Sequence, residues 1–245
     1  MRDIIHGRDY YPTCHAAAKG EYMYKTEAHV HTAEISPCGE IPARELAELY
    51  AAAGYSTLFV TDHIYKSIFD KFGDISWEEK VDRFLIGYRE AKARGEELGL
   101  TVLLGAEFGF KNSEGGKNDY LVYGIDRDFL LGAERALTEG LDFFVPYAAE
   151  NGIPIIQAHP YRTGCVPVPE RVSAIEIYNG HPRHENHNEM AEALALEWGL
   201  PGTYGSDAHR AHEIATTAIL TEKKIESGAE YNKLLMERAL SFERK

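Results

Sequence analysis

The sequence of 245 residues is short of cysteine, of long apolar runs and of positive charge. Its three cysteines, Cys14, Cys38 and Cys165, are few and odd in number, which argues against a disulfide framework and favours a reducing cytoplasm. No stretch approaches about 18 consecutive apolar residues, so the sequence predicts no membrane span. The N-terminal region has no apolar segment of the kind that marks a signal peptide.

The charge balance is strongly acidic, with 26 Lys and Arg against 39 Asp and Glu and a formal net charge of −13. Duplex binding relies on neutralising phosphates, so a long nucleic acid is an unfavourable partner. A small anionic substrate is still compatible with this charge, because bound divalent cations would supply positive charge locally. No feature of the sequence fixes the oligomeric state.

Apolar residues make up 44% of the chain, enough for a sizeable core, and the length fits a single domain over residues 1–245. Short apolar runs alternate with segments of helical periodicity, which predicts an α/β fold with a parallel, barrel-like sheet of about seven strands. Three predicted helices end in glycine followed by an apolar residue, as repeated βα units do. The predicted strands are Tyr24–Val30, Thr57–Thr61, Thr101–Ala106, Tyr120–Gly124, Ile153–Ala158, Ala174–Tyr178 and Gly202–Gly205. The predicted helices are Ala43–Ala53, Trp77–Leu98, Leu137–Asn151 and Glu185–Trp198.

Other segments interrupt or flank this rhythm. Residues 1–24 are predicted to form an arm or cap, and residues 229–245 a C-terminal amphipathic helix. Residues 64–76, 111–118 and 160–171 are predicted loops.

The main functional pattern lies where five predicted strands end, because each apolar run is followed by histidine, aspartate or glutamate. The carboxyl ends of barrel strands share one rim, where active sites are built. Imidazole and carboxylate groups bind Zn²⁺, Mn²⁺ or Fe²⁺, and one carboxylate can bridge two ions. The pattern therefore predicts a metal site of His29, His31, His63, Glu107, His159, Asp207 and His209.

The order His-x-His, Thr-Asp-His, Glu, His-Pro and Gly-Ser-Asp-Ala-His resembles the PHP (polymerase and histidinol phosphatase) superfamily, from about Thr26 to His209. This resemblance implies a distorted (β/α)7 barrel with two or three divalent ions, of Zn, Mn or Fe. It assigns the first ion to His29, His31, Glu107 and Asp207, the second to Glu107 and His159, and the third to His63 and His209.

Two positions depart from the pattern of that superfamily. The fourth strand offers Asp119 where the superfamily often has histidine, and Asp119 is assigned as a ligand. The loop after His31 is expected to supply another ligand, for which Glu34 is the first choice and Cys38 the alternative.

Further residues near the predicted rim are candidates for binding substrate. Arg162 could fork onto two phosphate oxygens. Asn179 and His181 follow the sixth predicted strand, where His181 could act as a general acid. Lys66 lies in a loop that could cover the mouth of the site.

Together these features predict a metal-dependent phosphoesterase that hydrolyses a small phosphate monoester with a metal-bound hydroxide, with Glu107, Asp207, Arg162 and His181 as catalytic residues. Histidinol phosphate is one candidate substrate among several. Three alternatives stay open: a nuclease or phosphodiesterase acting on short oligonucleotides or nucleotides, an amidohydrolase-like enzyme for a non-phosphate substrate, and a non-catalytic metal-binding domain.

Overall fold

The computed structural model describes residues 23–244, in which strands and helices alternate through most of the chain. The strands are β1 (Tyr24–Glu27), β2 (Thr57–Val60), β3 (His63–Ile64), β4 (Thr101–Lys111), β5 (Lys117–Tyr123), β6 (Ile156–Gln157), β7 (Ala174–Asn179), β8 (Gly202–Gly205), β9 (Thr217–Thr221) and β10 (Ser241–Arg244). The α-helices are α1 (Ala43–Ala52), α2 (Lys66–Phe69), α3 (Trp77–Leu98), α4 (Arg127–Gly132), α5 (Ala136–Glu139), α6 (Leu141–Glu150), α7 (Asn188–Trp198) and α8 (Gly228–Met236). The predicted N-terminal arm lies outside the described residues except for its last two positions.

One mixed sheet joins the strands in the order β10-β9-β1-β2-β4-β5-β6-β7-β8, and β3 pairs beside β4. The β1-β2-β4 and β6-β7-β8 groups are parallel, whereas β5 runs antiparallel to both of its neighbours. The short β4–β5 connection forms a hairpin, since a parallel partner would need a long crossover. The predicted α/β fold with a barrel-like sheet is confirmed, with the correction that β5, β9 and β10 are antiparallel strands.

The sheet closes at the rim that holds the predicted ligands. An isolated parallel bridge joins Val30, just beyond β1, to Ala208, just beyond β8. The Asp207 amide donates to the His29 carbonyl at 2.7 Å, and the His31 amide donates to the Ala208 carbonyl at 3.2 Å. These bonds bring the first and last predicted ligand motifs of the chain side by side.

Every predicted strand overlaps an observed one, but other segments differ from their predictions. The expected loop at 64–76 contains α2, whose Ile68 and Phe69 are buried, whereas the expected loop at 111–118 is confirmed over residues 112–116, the turn between β4 and β5. The C-terminal helix stops at Met236, after which Arg238 takes a left-handed backbone (φ 56°) and β10 pairs with β9. Ser241–Arg244 alternates a buried Phe242 with more exposed neighbours, the two-residue period of a strand.

Helix α3 begins and ends as its sequence predicts, whereas two other helices differ from their predicted ranges. Ser76 and Glu79 form a reciprocal capping box at the start of α3, and Gly99 ends that helix with a left-handed backbone (φ 74°). The predicted helix over residues 137–151 is broken at Gly140, whose φ of 64° separates α5 from α6. The helix predicted from Glu185 begins at Asn188.

Candidate metal centre

The seven strand-end residues of the predicted metal site meet in one cluster at the barrel rim. All are buried, with exposed fractions between 0% and 7%. Small groups of these side chains point ligand atoms at a common volume, each group lying within 4.8 Å. The groups are His29, His31 and Asp207; His29, Glu107 and His159; and His31, His63 and His209.

Together with Glu107, the three residues of the first group have the spacing of ligands on a single ion. The His31 Nε2 atom lies 3.1 Å from Asp207 Oδ1 and 3.5 Å from Glu107 Oε2. The His29 Nε2 atom lies 3.5 Å from Glu107 Oε1 and 3.6 Å from Asp207 Oδ1. Two ligands on a tetrahedral zinc ion would stand about 3.4 Å apart. These four side chains therefore fit a divalent ion.

Glu107 links this group to the other histidines. Its Oε1 lies 3.1 Å from His159 Nε2, and its Oε2 lies 2.6 Å from His63 Nδ1. His209 completes the third group, and its Nδ1 is held 2.8 Å from the Asp207 carbonyl oxygen. The two carboxylate oxygens thus face opposite sides of the cluster, as the bridging role predicted for Glu107 requires.

Two observations within the described residues show that the cluster suits a metal. The buried His29 Nε2 has no hydrogen-bond partner, although unpartnered buried polar atoms are costly. His159 and Asp207 adopt left-handed backbones (φ 29° and 51°), which are strained for residues other than glycine. A bound cation would give His29 Nε2 a partner.

The electrostatics keep both carboxylates of the site ionised and His31 neutral, whereas, despite burial, Glu107 helps to raise the pKa of His29, His63 and His159. Burial raises the pKa of Asp207, but His29 and Arg162 outweigh it and hold that pKa well below its usual value. Burial likewise opposes ionisation of Glu107, yet His63 and His29 keep its pKa well below normal. Burial and the neighbouring His63 and His209 lower the pKa of His31, which leaves its imidazole neutral. Metals bind neutral imidazole and ionised carboxylate.

Glu176 on β7 belongs to the site but was missed in the sequence, where the sixth predicted strand offered no ligand. Its Oε1 lies 2.8 Å from His29 Nδ1, and its Oε2 accepts from the His159 amide and the Asn179 side chain, both at 2.9 Å. A carboxylate on the outer nitrogen fixes the ring so that the other nitrogen faces the metal. A glutamate inside the buried strand Ala174–Asn179 was the available signal.

Gly205 at the end of β8 leaves room for this pair. A Cβ atom at Gly205 would collide with the His29 side chain and lie 2.7 Å from Glu176 Oε1.

Replacing Gly205 with alanine is expected to displace His29 and to lower metal affinity by about 10-fold or more, in line with the loss of an outer partner. Isothermal metal titration measures the effect. Gly54→Ala is the control for the loss of a glycine, because Gly54 has open space around it, although its φ is positive (81°), unlike that of Gly205. Equal metal affinity in the two variants would contradict the role given to Gly205.

The two uncertain ligand positions have different surroundings. Both oxygens of Glu34 accept from the Ala43 amide, at 2.9 and 3.0 Å, at the start of α1. Because both oxygens are held at this helix start, the assignment of Glu34 as a ligand is not supported. Asp119 does lie in a candidate group, with His159 and Cys165, and its Oδ1 is 2.9 Å from Lys117 Nζ.

The predicted substrate residues Arg162, Asn179 and His181 stand beside the cluster. The guanidinium of Arg162 donates to Asp207 Oδ2 at 2.7 Å and to Asn179 Oδ1 at 3.0 Å. Burial lowers the pKa of His181 to about 4, so its imidazole is neutral at pH 7. Lys66 is exposed, pairs with Asp70 and does not line the cavity that opens over the metal cluster, so its predicted role is not supported.

A cavity of about 350 Å³ opens over the cluster. Its floor includes several of the predicted ligands, and its walls carry the cationic side chains of Lys117, Arg162 and Arg183. The Lys117 Nζ lies 3.3 Å from the ring centre of Tyr65, which also lines the cavity. In a chain of net charge −13, positive groups are thus gathered at the cavity that holds the candidate ligands.

Comparisons with known proteins identify the fold. A family model described as PHP-associated matches residues 185–233. A two-domain crystal structure from Bacteroides vulgatus, containing a predicted PHP-like metal-dependent phosphoesterase, aligns with a TM-score of 0.67. That alignment covers 97% of this chain and 70% of the other at 15% identity. The chain has the PHP fold. The fold that the resemblance to the PHP superfamily predicted is thereby confirmed.

Other solved structures share this PHP fold. PsfC from Pseudomonas syringae aligns with a TM-score of 0.62 at 16% identity, covering 91% of this chain and 92% of PsfC. A predicted metal-dependent phosphoesterase from Bifidobacterium adolescentis gives a TM-score of 0.51 at 17% identity, covering 89% of this chain and 98% of the other. No curated protein matches the chain. Among the described residues, no helix is both long and apolar enough to span a membrane.

Proposed function

We propose that this chain is a metal-dependent phosphoesterase acting on a small phosphate monoester. The observation that carries the proposal is the cavity in which Lys117, Arg162 and Arg183 stand over a floor of His and carboxylate ligands. A floor of metal ligands combined with cationic walls suits a substrate with a dianionic end. A volume of about 350 Å³ fits a small ester better than a polymer.

Different side chains of the site have different proposed roles in binding metal and substrate. His29, His31, His63, Glu107, His159, Asp207 and His209 would hold the divalent ions. Such ions, when bound, activate water and offset the negative charge of phosphoryl transfer. Arg162 and Lys117 bind phosphate oxygens, and the neutral His181 hydrogen-bonds the substrate. Asn179 positions Arg162 through its Oδ1.

Arg162→Gln is expected to raise KM for the ester by roughly 10-fold to 100-fold, because a charge-assisted contact is worth about 1.5–3 kcal/mol. Metal content, measured by elemental analysis, should change less than KM. Arg135→Gln is the matched control, since Arg135 is exposed and pairs with Glu139 away from the cavity. Unchanged kinetics in Arg162→Gln would contradict its phosphate-binding role.

The proposed activity is tested by phosphate release from histidinol phosphate, sugar phosphates, nucleotides and a short oligonucleotide. Each is assayed with added Mn²⁺ or Zn²⁺ and again with chelator. The proposal predicts chelator-sensitive release from a small monoester. Cleavage of the oligonucleotide alone would replace it with a nuclease. No release from a metal-loaded protein would favour an amidohydrolase-like substrate or a non-catalytic domain.

A further inference from the structure

Cys38 stands at the edge of the metal cluster, in the segment between β1 and α1. Its Sγ lies 3.2 Å from His63 Nε2, and the thiol also interacts electrostatically with His209. Cys38 lines the same cavity as both histidines, which belong to the third ligand group. One sulfur and two imidazoles therefore meet at this side of the site.

The spacing suits coordination as well as hydrogen bonding. Typical Zn–S and Zn–N bonds place a thiolate and an imidazole on one tetrahedral ion about 3.5 Å apart. The observed 3.2 Å differs from that value by a few tenths of an ångström. His63 presents its other ring nitrogen, Nδ1, to Glu107. Its Nε2 therefore faces the thiol on the side away from the bridging carboxylate.

The backbone around Cys38 is fixed in place. Ser36 donates its hydroxyl to Asp62 at 2.8 Å, and the Gly39 amide donates to the Ser36 carbonyl at 2.8 Å. A side chain at Gly39 would stand 2.7 Å from the Thr32 carbonyl oxygen, so the segment turns tightly there. The Glu40 amide then donates to the His209 carbonyl at 2.8 Å. These bonds hold the thiol against the third ligand group.

The other acidic or sulfur donors nearby are used differently. Glu34, the ligand first expected from this segment, has both oxygens at the Ala43 amide. Cys165 also lines the cavity and lies in the separate candidate group with Asp119 and His159, where its Sγ is 3.9 Å from His159 Nδ1, on the ring side opposite the nitrogen that faces Glu107. Cys38 is the donor of its segment that lies against the third group.

We propose that the Cys38 thiolate, with His63 and His209, is a ligand of one ion of the cluster and makes that position selective for Zn²⁺ over Mn²⁺. Thiolate is a soft ligand that favours zinc, whereas carboxylate suits manganese. On binding, the thiol proton is released to solvent. The proposal rests on the metal cluster of the proposed function but not on the substrate of that function.

Cobalt substitution tests this ligand directly, because a cobalt–thiolate bond gives a charge-transfer absorption in the near ultraviolet. The full-length protein loaded with Co²⁺ is expected to show the band. Cys165→Ser and Cys14→Ser should keep it, and Cys38→Ser should lose it. Elemental analysis should show Cys38→Ser binding about one cobalt ion fewer per chain. Cys38→Asp should recover that ion without the band and bind Mn²⁺ more tightly relative to Zn²⁺ than the parent chain does.

Each outcome of the cobalt experiment supports or overturns Cys38 as a metal ligand. A band that survives in Cys38→Ser would overturn the proposal, and so would cobalt bound to the parent chain without any band. Both results would leave the metal cluster and the phosphoesterase proposal intact. Absence of bound cobalt would overturn the cluster itself and both proposals. Far-ultraviolet circular dichroism of every variant distinguishes loss of the cobalt–thiolate band from loss of the fold. Cys38→Asp provides a second folded variant without the thiol.

Discussion

Glu107→Gln is expected to lose bound metal and hydrolytic activity together while keeping the fold. The Glu107 carboxylate lies within 3.5 Å of ring nitrogens of four histidines: His29, His31, His63 and His159. The amide keeps the shape but removes the charge and one of the two acceptor oxygens. Even outer partners of metal ligands cost about 10-fold to 100-fold in affinity, so a loss beyond about 100-fold is expected here.

Elemental analysis and steady-state kinetics measure this loss, with circular dichroism reporting the fold. Glu139→Gln is the matched control, because Glu139 is exposed on α5 and pairs with Arg135. The control should retain both metal and activity. Full metal content in Glu107→Gln would contradict the placement of Glu107 at the centre of the cluster.

Glu176→Gln is expected to weaken metal binding by about 10-fold to 100-fold, with activity restored by excess metal. The amide can still hydrogen-bond His29 Nδ1, but it has no charge to favour the ring orientation that aims Nε2 at the cluster. The His159 amide, which donates to the same carboxylate, would also lose a charged acceptor. Rescue by metal distinguishes this outer role from that of Glu107, whose variant should stay inactive.

A metal titration of activity gives the apparent affinity of each variant. Glu170→Gln is the control for Glu176, since Glu170 is exposed in the connection before β7. Indistinguishable titration curves for the parent chain and Glu176→Gln would show that Glu176 does not orient a ligand.

The ligand cluster was readable in the sequence because barrel topology brings strand ends to one rim. Each predicted ligand follows an apolar run, so knowing the barrel topology is enough to predict that these residues meet at one rim. Glu176 was not readable in this way. It lies within β7, and its importance comes from His29, which is 147 positions away in the chain. A buried glutamate in a strand suggests a partner but does not identify it.

Other differences arise where the local pattern is ambiguous. Glu34 and Cys38 were both available to the segment after His31, and only the fold sends Glu34 to the start of α1 and Cys38 to His63. Lys66 was predicted to face the cavity, but α2 turns it outward, and Lys117 on the β4–β5 hairpin lines the cavity instead. The predicted strands of this hairpin end at Ala106 and begin at Tyr120, whereas the antiparallel pairing extends to Lys111 and Lys117 through polar residues that hide it in the sequence.

The strand missed at the C-terminus has a similar cause. Residues 241–244 follow a helix in a segment with few apolar residues, and their pairing with β9 depends on contacts distant in sequence. The local helix propensity of these residues favours a continuation of α8, whereas the edge of β9 offers backbone hydrogen bonds to a paired strand. Tertiary pairing therefore prevails over local preference.

Anomalous scattering from crystals grown with Zn²⁺ or Mn²⁺ tests the central claim most directly. The account predicts strong peaks within bonding distance of His29, His31, Glu107 and Asp207, with further density toward His63, His159 and His209. Peaks recorded at each metal's absorption edge would also show which ion occupies which position. Metal bound elsewhere on the surface, with no anomalous signal at this rim, would contradict the account.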